Sequence, residues 1–78
     1  MRWVKLSEIT VGNEFVLVIK LSEQIIVTTM YRKINEAGFV QLLMYDIRHG
    51  GLSVHAKNVS EPATFLTLRP DCTVQIVQ

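Results

Sequence analysis

The stretch FVQLLMYDIRHGGLSVHAK, residues 39–57, carries the pattern on which the fold class turns. Two apolar segments, 39–46 and 52–57, flank a short polar run with paired glycines. Leu42, Leu43 and Met44 are good helix formers, but eight residues between glycine-bearing turns are too few for an ordinary helix, so the segment is expected to be a strand. The double glycine then belongs to a hairpin turn that needs positive φ. With 47–51 taken as the loop, Asp46 faces Leu52, Met44 faces Val54 and Leu42 faces Ala56. Val40, Leu42, Met44, Leu52, Val54 and Ala56 form one apolar face, the expected core side. Gln41, Leu43, Tyr45, Ser53, His55 and Lys57 form the other. A slip of one residue would mix the two sets. Tyrosine, histidine and lysine together suit a contact surface, and equally an ordinary amphipathic outer face.

Outward from this hairpin the chain keeps a strand character. EFVLVIK (14–20) is almost uniformly apolar, and IIVTTMYRKI (25–34) is rich in β-branched residues. NEAG (35–38) reads as a turn with Gly38 in a left-handed position. TFLTL (64–68) and TVQIV (73–77) follow. At the start, KLSEITVG (5–12) is expected to form one helical or 3₁₀ turn, with Leu6 and Ile9 three apart, Ser7 opening it and Gly12 closing it. Six short strands joined by short turns signal a small all-β barrel or sandwich. Arg32 and Lys33 point to opposite faces of their strand, so one points inward unless it lies at a strand end.

The 78 residues suffice for one small domain, 1–78, whose core is marginal without support. Cys72 stands alone, so a disulfide within the chain is impossible, and no zinc-ligand spacing appears. The composition is 49% hydrophobic and only 19% charged, which leaves apolar surface for a partner or a second copy. The net charge of +1, with Arg32-Lys33 as the only adjacent basic pair, disfavours nucleic acid as a partner. No apolar run approaches the roughly 18 residues of a membrane span. The beginning of the sequence lacks the apolar region of a signal peptide. These features predict a cytoplasmic protein with Cys72 reduced, in which the triplet Asn58-Val59-Ser60 is not a glycosylation site.

Chemistry is sparse. Asp46, His49, His55 and Cys72 are ligand types, but in the expected hairpin the histidines lie about 10 Å or more apart. No metal and no cofactor are expected. Ser53 and His55 share a face without a third orienting group, and Cys72 reads as a small buried hydrophobe. No catalytic residue is therefore assigned, and the protein is expected not to be an enzyme. HGGLS could offer backbone N–H groups to a phosphate, but it lacks the helix and lysine of a phosphate loop. Single-stranded nucleic acid could stack on Tyr31 or Tyr45 beside Arg32, Lys33, Arg48 and Lys57. Trp3 is expected to cover an open barrel end. Self-association has the strongest basis. Strands 14–20 and 39–46 are apolar on both faces, so Phe15, Leu17 and Ile19 (or Val16 and Val18), with Phe39 and Leu43, form the expected interface between copies.

The spacing Leu6-x-x-Ile9-x-x-Gly12-x-x-Phe15, then Tyr31-x-Lys33, then Leu68-x-Pro70-Asp71-x-x-Val74 resembles small uncharacterised bacteriophage proteins that look like SH3-like β-barrels. The resemblance covers most of the chain, although 39–57 is longer and more apolar than that pattern. It implies an all-β, SH3-like barrel of five to six antiparallel strands in a phage accessory protein acting in a bacterial cytoplasm. Such a protein would inhibit a host protein or defence system through its outer face. Alternatively, as an oligomer, it would sequester a small nucleotide signal. Tyr31, Arg32, Tyr45, Arg48, His49, His55 and Lys57 are the binding residues expected on either account. A single-stranded nucleic-acid-binding module is the remaining alternative.

Overall fold

A computed structural model describes residues 2–59 and 63–76. Ser60 of the glycosylation triplet and Val77 of the last expected strand lie outside them. The elements are β1 (Trp3–Lys5), a 3₁₀ turn (Leu6–Glu8), β2 (Glu14–Lys20), β3 (Ile25–Lys33), β4 (Phe39–His49), β5 (Leu52–Asn58), β6 (Thr64–Thr67) and β7 (Thr73–Ile76). All described pairings are antiparallel. The sheet order is β1-β7-β2-β3-β4-β5, with β6 paired to the first half of β4 beside β5. The expected 3₁₀ turn is present, but it begins at Leu6, before Ser7, and is capped at Ile9 rather than closed at Gly12. Pro70 and Asp71 form a short turn before β7, closed by Cys72 N–H donating to the Arg69 carbonyl at 3.0 Å.

The sheet is open. Its order ends at β1 on one side and at β5 on the other, and among the described residues no pairing joins them. The expected SH3-like barrel is therefore corrected to an open, mostly antiparallel sheet. Trp3 covers no barrel mouth: it lies in β1, a strand too short to stand out in the sequence, and is exposed.

The core occupies one end of this sheet. Val4, Leu6, Ile9, Phe15, Tyr31, Val40 and Val74 are buried together, with Leu17, Leu42, Leu66, Leu68, Cys72 and Ile76 packed against them. Phe15 and Tyr31 are direct cross-strand partners whose rings stack with centroids 5.5 Å apart. Of the spaced pattern, Leu6, Ile9, Phe15, Tyr31 and Val74 meet in this core and Leu68 packs against it, while Gly12, Pro70 and Asp71 are exposed.

Of the adjacent basic residues, Lys33 is the inward one. Its side chain is only 1% exposed, and Nζ donates to the carbonyls of Leu6 at 3.0 Å and Ile9 at 2.7 Å and to the Glu36 carboxylate at 2.9 Å. Three donors meet three acceptors, so burying the ammonium leaves nothing unpaired. This contact fastens the 3₁₀ turn to β3. Arg32 points the other way and pairs with Glu14 across the β2–β3 ladder at 3.0 Å.

Two bulges reset the expected hairpin. Between β3 and β4, Met30 pairs with Met44 but Tyr31 pairs with Leu42, so Leu43 is an extra residue. A bulge of this kind shifts side-chain alternation by one. Val40 and Leu42 face the core as expected, but Met44 does not: Tyr45, partner of Thr29, continues on the core's side. Between β4 and β5, Ile47 pairs with His55 and Arg48 with Ser53, which leaves Val54 extra. The loop is not 47–51 but Gly50-Gly51 alone, both at positive φ (62° and 86°), with His49 opposite Leu52. Two such residues make the tight turn whose twist matches a hairpin. Asp46 consequently faces Ala56, not Leu52, and Leu52, Val54 and Ala56 are exposed rather than in the core.

Candidate functional site

Past Leu17 and Thr29 the strands β2 to β5 run on beyond the core as a four-stranded arm. Among the described residues no second layer covers either face. An uncovered sheet with apolar side chains on both faces is the arrangement that soluble monomers avoid. On the core's side the cross-strand pairs place Ile19 beside Val27, Val27 beside Ile47, Tyr45 beside Lys57, and His49 beside Leu52. On the opposite side lie Val18, Ile26, Thr28, Met44, Asp46, Arg48 and Ser53.

Each side carries its own polar cluster. On the core's side Tyr45 Oη and His55 Nε2 are 2.6 Å apart, with ring centroids at 5.2 Å, beside Lys57. On the other side Asp46 is fully engaged: Arg48 Nε donates to it at 2.8 Å and Ser53 Oγ at 2.6 Å. Arg48 also donates to the Gly51 carbonyl at 3.2 Å, which ties this cluster to the turn. The sequence singles out Arg48 but not Asp46 and Ser53 as its partners, because the bulge at Val54 sets which residues meet.

The expected binding residues therefore separate. Tyr45, His55 and Lys57 come together. Arg48 lies on the reverse face, held by Asp46, and His49 is exposed near the tip. Tyr31 is buried against Phe15, and Arg32 is paired with Glu14. Of the expected interface residues, Phe15 is wholly buried and Leu17 packs against the core, whereas Ile19 is exposed. Phe39 meets Phe65 edge to face at 5.3 Å on the side away from the core, and Leu43 occupies the bulge.

Chemistry of other kinds finds little footing. Among the described residues no group of three or more His, Cys, Asp or Glu side chains could hold a metal. A shallow, open cleft of about 510 Å³ is lined by Thr67, Leu68, Arg69, Asp71 and Cys72. Arg69 and Asp71 in it are paired with each other at 3.0 Å. Among the described residues no helix is long and apolar enough to cross a membrane. Comparison with family models, curated proteins and solved structures finds no match, and with the sheet open, the resemblance to phage SH3-like barrels is withdrawn.

Proposed function

We propose that this chain is a non-enzymatic binding protein that works by surface contact and self-associates through the end of its arm. One observation carries this. Ile19 is exposed on the core's side of the arm and Ile26 on its reverse, and Leu21, 65% exposed, lies at the turn between β2 and β3, so the end of the arm is apolar on both faces. Burial of apolar area yields roughly 25 cal/mol per Å², so two copies packed through this region gain what the monomer leaves in water. A twofold arrangement also closes on itself without open polymerisation. Nucleotide or single-stranded nucleic-acid binding draws less support, since Tyr31 is buried and Arg48 is already held by Asp46.

Sedimentation velocity over a range of micromolar concentrations tests this reading. The native chain is expected to sediment as a dimer or larger species. The exposed double substitution Ile19→Lys and Leu21→Lys should shift it to monomer with its circular dichroism unchanged. A native chain that is monomeric throughout contradicts the proposal, as does a doubly substituted chain that stays assembled.

A further inference from the structure

We propose that the free edge of β5 is a docking site for an extended peptide that is both acidic and apolar, taken up as an additional antiparallel or parallel strand. This goes beyond the self-association reading and uses the opposite edge of the arm.

The edge itself is the first observation. β5 pairs only with β4, all seven of its residues are exposed, and the described backbone hydrogen bonds include none to its outer side. Alternate residues of such a strand direct N–H and C=O groups into solvent, a ready template for another strand. The side chains along it provide apolar footholds: Leu52 is 74% and Val54 60% exposed.

Charge selects the occupant. The other charged residues of the arm are matched, Lys20 with Glu23 and Arg48 with Asp46. Lys57 has no carboxylate partner among the described residues and is the one formal charge on its side of the arm. Tyr45 and His55 beside it add hydrogen-bonding groups to a face that carries no acid among the described residues. A second copy pairing β5 against β5 would bring two such lysines to one seam with no carboxylate to offset them. Lysines and bulges on an edge are the usual guards against that pairing, and β5 has both, Lys57 and the bulge at Val54. An acidic strand meets the same edge with complementary charge, so the guard against self-pairing is also the selector for the partner.

The test uses the whole isotope-labelled chain, titrated with an unstructured peptide alternating glutamate with valine and with its lysine-for-glutamate counterpart. The glutamate peptide should move amide resonances of residues 52–58 and Tyr45 and slow exchange of the outward β5 amides. The lysine peptide should bind at least about tenfold more weakly, a difference of about 1.4 kcal/mol. Lys57→Glu, an exposed substitution expected to leave the fold intact, should invert that preference. Equal binding of the two peptides would overturn the proposal, as would shifts outside β5 and Tyr45, or a preference untouched by Lys57→Glu. Shifts in β5 that grow with protein concentration alone would also overturn it, by assigning the edge to a second copy. The Ile19→Lys and Leu21→Lys chain should bind the glutamate peptide like the native one, which separates this outcome from that of self-association.

Discussion

Lys33→Ala should cost the chain a large part of its stability. The substitution removes three hydrogen bonds from one ammonium, two of them to the carbonyls of Leu6 and Ile9. The Leu6 carbonyl keeps a second donor, the Ile9 N–H at 3.1 Å, so it is not wholly orphaned. Each buried polar group left unpaired costs roughly 1–3 kcal/mol, and the vacated side-chain volume adds a cavity penalty. The expected loss is about 3–5 kcal/mol. A chain of 78 residues, at roughly 0.05–0.15 kcal/mol per residue, has only about 4–12 kcal/mol in total. Lys33→Met keeps the apolar stem and should lose less, about 2–4 kcal/mol, because only the hydrogen bonds go. Glu36→Gln should cost under about 1 kcal/mol, since the Glu36 side chain is 69% exposed and its ion pair is screened. Urea denaturation of the three variants checks the order. A Glu36→Gln loss equal to that of Lys33→Ala would mean that the carboxylate, not the two carbonyls, carries the contact.

Gly38→Ala should be nearly as damaging, through backbone rather than charge. Gly38 has φ of +90°, and a Cβ there would collide with the Leu68 carbonyl oxygen. That oxygen belongs to backbone already fixed against the same residue, as Leu68 N–H donates to the Gly38 carbonyl at 2.8 Å. The substitution must therefore pull β6 away from β4 as well as force an unfavourable dihedral. Left-handed backbone alone costs roughly 1–2 kcal/mol for a non-glycine residue. With the collision the total is expected to reach about 3 kcal/mol or more. Gly12→Ala provides the comparison: its φ is +94°, but a Cβ there meets nothing within 4 Å. Only the dihedral cost should appear. Thermal unfolding of the two variants side by side separates the effects, and equal losses would show that the contact with Leu68 is not the constraint.

The core was legible in part, the arm much less so. Val40 and Leu42 lie on the expected core face, whereas Met44, Leu52, Val54 and Ala56 are exposed and Phe15, expected between copies, is buried, because apolar character alone does not say which layer covers a strand. The inward turn of Lys33 is visible only as an alternative, since alternation puts one of two adjacent basic residues inside without saying which. The register of 39–57 fails for a definite physical reason. The extra residues Leu43 and Val54 are ordinary strand formers, so neither bulge leaves a mark in composition. Each shifts the alternation on which the register argument depends. The segment Ile47-Arg48-His49 looks like loop because it is polar, yet a strand in an uncovered arm does not need apolar residues. Closure of the sheet depends on whether its two edges meet, and no local pattern encodes that. The apolar excess did point to surface seeking cover, but its placement on the arm required the sheet order.

Amide hydrogen exchange along β5 tests the central claim, an open sheet whose far edge is free. The account predicts that amides of Tyr31, Lys33 and Val40 exchange only through global unfolding, while alternate amides within residues 52–58 exchange nearly as fast as in an unfolded chain. Uniform protection along β5 in the isolated protein would contradict it, because every one of those amides would then already have a partner.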